Sequence, residues 1–352
     1  MKKKHYLAAA LAGAASLPVF AQSSVTLYGV IDTNLEVLNH ASATGDTLVR
    51  EGSGGLSNSR FGFKGTEDLG GGYSAFFWLE AGINSNDGSN TTSGVLFNRQ
   101  AAVGISNASY GSLSAGLQYT AMYDILEQYD PMGYAPHYTW FPTTGSSDDF
   151  SYKARLNNSV KYVGQFGGLK AIADYSFGGT AGSFQSSAAY GAGLQYAIGT
   201  LSAAFAYDYR NGAVTTAGLW TKSRNWSLSA RDEFGPVTVM GGYEHYLYNP
   251  TKGATVSAAL WFGGVRYRIV PAFQLTTALY YQSNQTKNVS NSIMGVLSGD
   301  YSLSKRTDLY ATVAYAAATR YANGTYTPVG VTDDTAYGPN QTGVTVGIRH
   351  RF

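Results

Sequence analysis

The sequence has no cysteine among its 352 residues, which excludes disulfides and cysteine-based metal or redox chemistry. Charged residues make up only 13%, and no dense basic run follows the first four residues, so a nucleic-acid partner is not expected. Proline is scarce at 9 residues, and after residue 21 no apolar run reaches the ~20 residues that a membrane-spanning helix needs. These absences favour a large framework that is held together by hydrogen bonds.

Glycine and tyrosine are abundant instead. There are 43 Gly, 28 Tyr and 16 Phe, and the mean hydropathy is −0.14. A membrane β-barrel combines these features, because its strands alternate lipid-facing with lumen-facing residues and its tyrosines form interfacial girdles. A secreted adhesin or β-sandwich has a similar composition, so composition alone leaves both classes open.

The first residues have the pattern of a secretory signal peptide. Lys2, Lys3 and Lys4 precede an apolar stretch at residues 6–15, and small residues follow at a cleavage-like site ending at Ala21. We therefore expect residues 1–21 to be removed and residues 22–352 to form a single outer-membrane β-barrel domain. Losing three lysines changes the formal charge from +2 to −1, with 21 basic against 22 acidic residues.

Strand-like segments recur along the whole chain, and their connections alternate in length. We count 16 segments, and every second connection is a tight Gly, Pro or Asp turn, whereas the others are long and polar. This predicts an all-β fold: a 16-stranded antiparallel transmembrane β-barrel with short periplasmic turns and long external loops. A count of 18 strands is the main alternative.

Closure of such a barrel requires its last strand to pair with its first. Residues 25–32 and 342–352 lie at the two ends of the expected domain. In TGVTVGIRHRF the residues that alternate from Val344 to Phe352 are mostly apolar and are expected to face outward. Arg349 and Arg351 have the opposite parity and are therefore expected to face a water-filled lumen. Phe352 is expected to be needed for barrel closure and assembly.

Six motifs, in order along the chain, resemble the Gram-negative general porins of the betaproteobacterial and neisserial branch. They are SVTLYGVID, NSRFGFKGTEDLGGG, FNRQAAVGIS, RLNNSVKY, YSLSKRTDLYA and the final GIRHRF. The resemblance implies a homotrimer in the bacterial outer membrane, passive diffusion of ions and small hydrophilic solutes, and a third external loop folded into the pore. It also implies that the assembly machinery recognises the C-terminal aromatic residue.

Basic residues are expected on the inner wall of the pore. Strand alternation places Arg60 and Lys64 inward, and likewise Arg155 and Lys161. Arg99 shares its parity with apolar residues, so alternation does not place it. The resemblance implies that Arg99 faces inward, because porins of this branch have basic residues on the barrel wall at the positions that match Arg60, Arg99 and Arg155. A lipid-facing arginine at the bilayer midplane would cost ~2–4 kcal/mol, which also favours the inward orientation.

The longest loop, residues 120–154, is the expected third external loop. Folded inward, it would set Asp124, Glu127 and Asp130 opposite the basic wall and create a transverse field in a narrow aqueous gap. Five positive charges against three negative charges predict weak anion selectivity. No cofactor or metal site is expected, since the histidines lack metal-ligand spacing.

Two other functions stay open as alternatives. An outer-membrane hydrolase would need a Ser–His pair on the outer wall, for which His245 is the candidate. An adhesin or receptor barrel would fill its lumen with bulky apolar side chains. Inward positions such as Gly191, Gly193 and Ser202 are small instead, which favours a channel.

Overall fold

The computed structural model describes residues 24–140, 152–215, 217–253, 255–284, 289–319, 326, 328–332 and 336–352. The expected signal peptide, residues 1–21, lies outside them. In the described part of the chain, 17 strands form one antiparallel sheet, and one short helix is present. No helix among these residues is long and apolar enough to cross a bilayer.

The strands are β1 (Ser24–Leu38), β2 (Leu48–Ser53), β3 (Arg60–Gly70), β4 (Tyr73–Gly82), β5 (Gln100–Asn107), β6 (Gly111–Tyr119), β7 (Arg155–Phe166), β8 (Leu169–Ser176), β9 (Ala189–Ile198), β10 (Leu201–Asn211), β11 (Lys222–Phe234), β12 (Val237–Asn249), β13 (Val256–Val270), β14 (Phe273–Asn284), β15 (Ser292–Ser302), β16 (Thr307–Ala318) and β17 (Asn340–Arg351). The helix α1 (Ala121–Leu126) lies between β6 and β7.

The sheet closes on itself between its first and last strands. β1 pairs antiparallel with β17, from Val30 opposite Arg351 to Leu38 opposite Gly343. From β3 to β17 each strand pairs antiparallel with the next one in chain order, and β3 in turn pairs with β1, so the wall closes into a barrel. The predicted pairing of the last strand with the first is confirmed, but β17 pairs with residues 30–38 of β1, so only the end of the predicted range 25–32 takes part.

The barrel wall has 16 strand positions, as expected, because β2 and β3 share one. β3 pairs with the periplasmic half of β1 and β2 with its external half. The sequence interpretation treated residues 34–58 as a loop and therefore missed β2 and the end of β1. In β2 the outward parity contains Glu51 beside Val49, so its apolar alternation is weak. The end of β1 does alternate, with Leu35 and Val37 exposed and Glu36 buried, and it was missed.

Burial along β1 is the reverse of that in a water-soluble protein. Val25 and Leu27 point outward and are 66% and 56% exposed, whereas Asp32 and Glu36 point inward and are fully buried. Apolar side chains thus cover the outside of the barrel and polar ones line the inside. This surface suits a hydrocarbon surrounding and an aqueous lumen.

The described part of the connection between β6 and β7, residues 120–140 and 152–154, is called loop 3 below and folds into the barrel. Met122, Ile125 and Tyr129 are fully buried and pack in one cluster with wall residues such as Leu260 and Tyr280. The loop side chains can approach the wall closely where a wall residue is glycine and has no side chain. A Cβ at Gly193 would lie 2.6 Å from Ile125 Cγ1. The predicted inward-folded third loop is confirmed.

Candidate functional site: the constriction between loop 3 and the barrel wall

Loop 3 enters the lumen through a capped helix start. The side chain of Thr120 accepts a hydrogen bond from the Tyr123 backbone N–H at 3.2 Å, which satisfies one free donor at the beginning of α1. Asp174 on β8 accepts a second bond, from the Ala121 N–H at 2.6 Å. The wall therefore fixes the point at which the loop turns inward.

Asp130 anchors the far end of this segment to the opposite wall. Its buried carboxylate accepts hydrogen bonds from the Tyr280 hydroxyl at 2.6 Å and from the Tyr134 N–H at 2.7 Å. Arg266 donates to the backbone carbonyls of Asp130 and Pro131, both at 2.8 Å. Burial raises the pKa of the Asp130 carboxyl.

Asp130 was expected to face the arginines across the gap, and its position differs from that expectation. Its side chain is fully buried between loop 3 and the wall, so it does not line the gap. No local pattern indicates this, because Tyr280 and Arg266, which hold the residue, follow it by more than 130 positions. Asp130 is thus part of the support of loop 3.

The other two loop acids do face the gap. Asp124 forms an ion pair with Lys161 of β7, whose ammonium also donates to the Tyr119 carbonyl at 2.8 Å. Glu127 is exposed to the lumen but surrounded by the wall. The resulting desolvation, followed by the nearby charge of Asp124, raises the pKa of Glu127.

The facing wall carries two arginines joined by one carboxylate. Glu80 on β4 accepts a hydrogen bond from Arg99 Nε at 2.7 Å and lies 3.5 Å from Arg60 Nε. It also accepts a bond from the Tyr28 hydroxyl at 2.8 Å. Arg99 directly precedes the first residue of β5, so strand alternation does not govern its side chain. This explains how it reaches the lumen against its parity.

Tyr119 connects the wall arginines to the loop. Its hydroxyl oxygen accepts hydrogen bonds from Arg99 Nη2 and from Arg155 Nη2, the latter at 3.3 Å. The Arg155 guanidinium lies 4.8 Å from the centroid of the Tyr119 ring, and Tyr123 of α1 stacks on that ring at 4.3 Å. The side chains of Arg99, Arg155 and Tyr123 therefore all contact the side chain of Tyr119.

The strand that carries Arg155 is irregular. Asn158 has a φ of 48°, and the register of β6 and β7 shifts between Gly116 and Gln118. A β-bulge thus interrupts the alternation on which the inward orientation of Arg155 depended. The guanidinium of Arg155 nevertheless reaches Tyr119, whereas Leu156, which has the opposite parity, is buried.

A cavity of about 420 Å³ lies between the wall and loop 3. Six charged side chains line it, namely Arg60, Arg99, Lys161, Glu80, Asp124 and Glu127. Arg155 lines a neighbouring cavity of about 640 Å³. Lys64 lies on the same face of β3 as Arg60 but nearer the periplasmic turn, and its ammonium is 5.4 Å from the Tyr28 ring centroid. The narrow gap is balanced in formal charge, and these two cations flank it.

Sequence reasoning missed Glu80 and Tyr119. Glu80 could have been found by alternation. It pairs with Gly62 of β3, which shares the inward face of Lys64, so Glu80 is expected to face inward as well. The role of Tyr119 depends on the meeting of β5, β7 and α1, which no local pattern encodes.

The C-terminal residue completes the closure of the wall. Phe352 and Gly29 exchange two backbone hydrogen bonds, each 3.1 Å long. The Phe352 ring lies over Gly29, where a Cβ would come within 2.3 Å of the ring. Arg349 contacts Asp300 at 2.8 Å and Asp308 at 2.9 Å, both inside the barrel.

The outer wall contains the Ser–His contact that a hydrolase would need. Ser257 Oγ lies 3.1 Å from His245 Nε2, and the His245 ring stacks on Trp226. No carboxylate contacts the other ring nitrogen of His245 in the described residues, so the pair lacks an orienting third group. The described residues also contain no group of three or more His, Asp or Glu that could hold a metal ion.

The closed barrel, its apolar outside and the narrow gap beside loop 3 define a channel-forming outer-membrane protein. The profile of the Gram-negative porin family matches residues 8–321, and the chain belongs to this family.

Individual relatives agree with this assignment. Outer membrane porin protein 32 of Delftia acidovorans is 33% identical over the full length of both chains, and an outer membrane porin protein of Bordetella pertussis is 28% identical over 99% of this chain and 100% of its own. The solved anion-selective porin from Comamonas acidovorans is 28% identical and has a TM-score of 0.81, covering 94% of this chain and 100% of its own. The protein is an outer-membrane porin channel.

Proposed function

We propose that this porin is a general diffusion channel for ions and small hydrophilic solutes with a weak preference for anions. The observation that carries this proposal is the constriction. Arg60, Arg99, Lys161 and Glu80 of the wall and Asp124 and Glu127 of loop 3 line one cavity of about 420 Å³. Arg155 and Lys64 add positive charge on its two sides. The similar porin from Comamonas acidovorans is anion-selective, which supports the same sign.

The charge count explains why the preference is weak. Glu80 forms ion pairs with Arg60 and Arg99 of the wall, and Asp124 of loop 3 forms one with Lys161, so much of the fixed charge is already paired. Asp130 does not line the gap and Glu80 does, so the number of acids near the constriction is still three. The count therefore remains five positive charges against three negative ones. A solute ion responds mainly to charges within the screening length of ~10 Å at 0.1 M salt. The excess of two positive charges therefore acts on anions chiefly at low salt.

We also propose that the functional form is a homotrimer in contact with outer-membrane lipid and delivered by the outer-membrane assembly machinery. The resemblance to general porins supports the trimer. The exposed apolar side chains on β1 and β17, such as Leu27 and Val346, provide a surface for either lipid or a second copy. Heat-modifiable migration and chemical cross-linking in native outer membranes would separate trimer from monomer.

Conductance in planar bilayers tests the channel proposal. Replacing chloride by the larger acetate should lower single-channel conductance more than replacing potassium by lithium does, because anions carry the larger share of the current. Equal losses would remove the anion preference, and an absence of single-channel steps would overturn diffusion through this lumen.

A further inference from the structure

A cleft of about 610 Å³ lies on the outside of the barrel, across β8 to β11 near their external ends. Its wall is mainly aromatic, and the side chains that define it are Tyr175, Phe184, Tyr190, Tyr207, Tyr209 and Arg224. Alternation separates it from the lumen, because the neighbouring Asp174 and Asp208 have the opposite parity and are buried inside. The cleft is thus distinct from the channel.

An external loop supplies one side of this outer cleft. Phe184, between β8 and β9, stacks on Tyr175 of β8 with the ring centroids 5.8 Å apart and the planes 19° apart. On the other side Tyr190 and Tyr209 stack at 4.8 Å. Phe184 is still 71% exposed, so the loop places a large apolar side chain outward beside the cleft.

Positive charge is concentrated at the external edge of the cleft. Arg224 is exposed on the outward face of β11, and its guanidinium lies 5.8 Å from the Tyr209 ring centroid. Lys222, two residues nearer the external end, has the same parity. The outward positions at the external ends of β8 to β12 carry no carboxylate in the described residues. Along β11, Asp232 is the first outward acid after Arg224, eight residues or ~27 Å away.

An apolar groove continues from this cleft toward the periplasmic side of the same outer face. It has a volume of about 790 Å³, and small residues such as Ala203, Ala230 and Gly241 form its floor. Phe205, Leu228 and Trp261 stand beside them. Leu228 follows Arg224 by four residues on one face of β11, so cation, aromatic cleft and apolar groove form one line along the wall.

We propose that this line is a binding site for one outer-leaflet lipid with a phosphorylated headgroup. Arg224 and Lys222 pair with the phosphate at the membrane surface, where a charged side chain costs far less than at the bilayer midplane. The tyrosines and Phe184 contact the region below the headgroup, and an acyl chain lies over Leu228 and Ala230. The site deepens the proposed contact with outer-membrane lipid by giving it a location, a stoichiometry and a charge requirement.

Native mass spectrometry of the full-length protein in detergent tests this proposal, with bisphosphorylated lipid A as the probe and phosphatidylethanolamine as the zwitterionic comparison. We expect one tightly bound lipid A per chain, and binding at least tenfold weaker for Arg224→Gln combined with Lys222→Gln. Phe184→Ser should weaken binding several-fold without changing any charge. Lys305→Gln combined with Arg306→Gln, on the periplasmic turn between β15 and β16, makes a matched change of two charges at the opposite end and should bind as the parent does.

Three results would overturn the site: unchanged binding in the Lys222 and Arg224 double variant, equal loss in the Lys305 and Arg306 control, or equal retention of phosphatidylethanolamine. Displacement of lipid A by inorganic phosphate alone would also contradict a lipid-specific site. Single-channel conductance of the double variant should match that of the parent. Failure of the lipid site is therefore distinguishable from failure of the channel proposal.

Discussion

Phe352 and Gly29 join the last and first strands of the barrel through two reciprocal 3.1 Å backbone hydrogen bonds, and the Phe352 ring covers the glycine. A side chain at Gly29 would meet both the ring and the Arg60 carbonyl, the latter at 2.7 Å. The closure of the barrel thus depends on a large residue on one strand and on the absence of a side chain on the other.

Gly29→Val and deletion of Phe352 should both lower the amount of heat-modifiable trimer in outer membranes, because each disturbs the seam between β1 and β17. Gly295→Val is the matched control, since a Cβ there meets nothing within 4 Å, and its trimer level should stay near that of the parent. Normal trimer in Gly29→Val would show that the seam tolerates a displaced ring.

Loop 3 should leave the lumen when its anchor is cut. Asp130→Leu removes the acceptor for Tyr280 and Tyr134, and a hydrogen bond to a charged group is worth about 1.5–3 kcal/mol. We expect higher single-channel conductance and a larger solute cut-off, as for deletion of residues 124–130. Asp130→Asn keeps an acceptor oxygen and should retain most of the parent conductance. No change in either the Leu variant or the deletion would place the loop outside the conduction path.

Glu80→Gln should shift selectivity toward anions. The substitution removes the negative charge between Arg60 and Arg99 while retaining a side chain of the same length. Breaking a buried ion pair costs ~3–5 kcal/mol, so correct folding must first be checked by heat modifiability. The control is Glu67→Gln at the exposed end of β3, where the same charge change should leave the reversal potential nearly unchanged. A shift of equal size in both variants would deny Glu80 a local role.

Acidification should strengthen the anion preference. Desolvation and the neighbouring Asp124 raise the pKa of Glu127, so this carboxyl takes up a proton at a higher pH than an ordinary glutamate does. Each proton removes one negative charge from the gap. The measurement is the reversal potential between pH 7 and pH 4, compared with Glu127→Gln, in which the upper part of the pH response should be missing. If the reversal potential of Glu127→Gln changed with pH in the same way as that of the parent, groups other than Glu127 would be responsible for the change.

The sequence predicted the parts of this protein that depend on periodicity. Alternation in residues 344–352 indicated the outward face of β17, and the alternating connection lengths indicated the barrel and its long external loops. Periodicity failed where the backbone is irregular or the outward face is not apolar. The bulge at Asn158 breaks the parity around Arg155, and Glu51 on the outward face of β2 weakens the strand pattern there.

The site residues that the sequence misplaced or missed depend on distant partners. Asp130 is indistinguishable from Asp124 in sequence, and only its contacts with Tyr280 and Arg266 withdraw it from the gap. Glu80 becomes part of the constriction because β3 and the residue before β5 bring two arginines to it. Such roles arise from tertiary contacts between strands, which a local pattern does not encode.

The most direct test of the central claim is the reversal potential of the intact channel across a salt gradient, measured together with Arg60→Ala, Arg99→Ala and Arg155→Ala. We predict a weakly anion-selective channel whose preference grows as salt is lowered, because screening decreases. Each substitution should move the reversal potential toward cations. A cation-selective intact channel would contradict the charge arrangement proposed here, and an unchanged Arg99→Ala would remove that residue from the constriction.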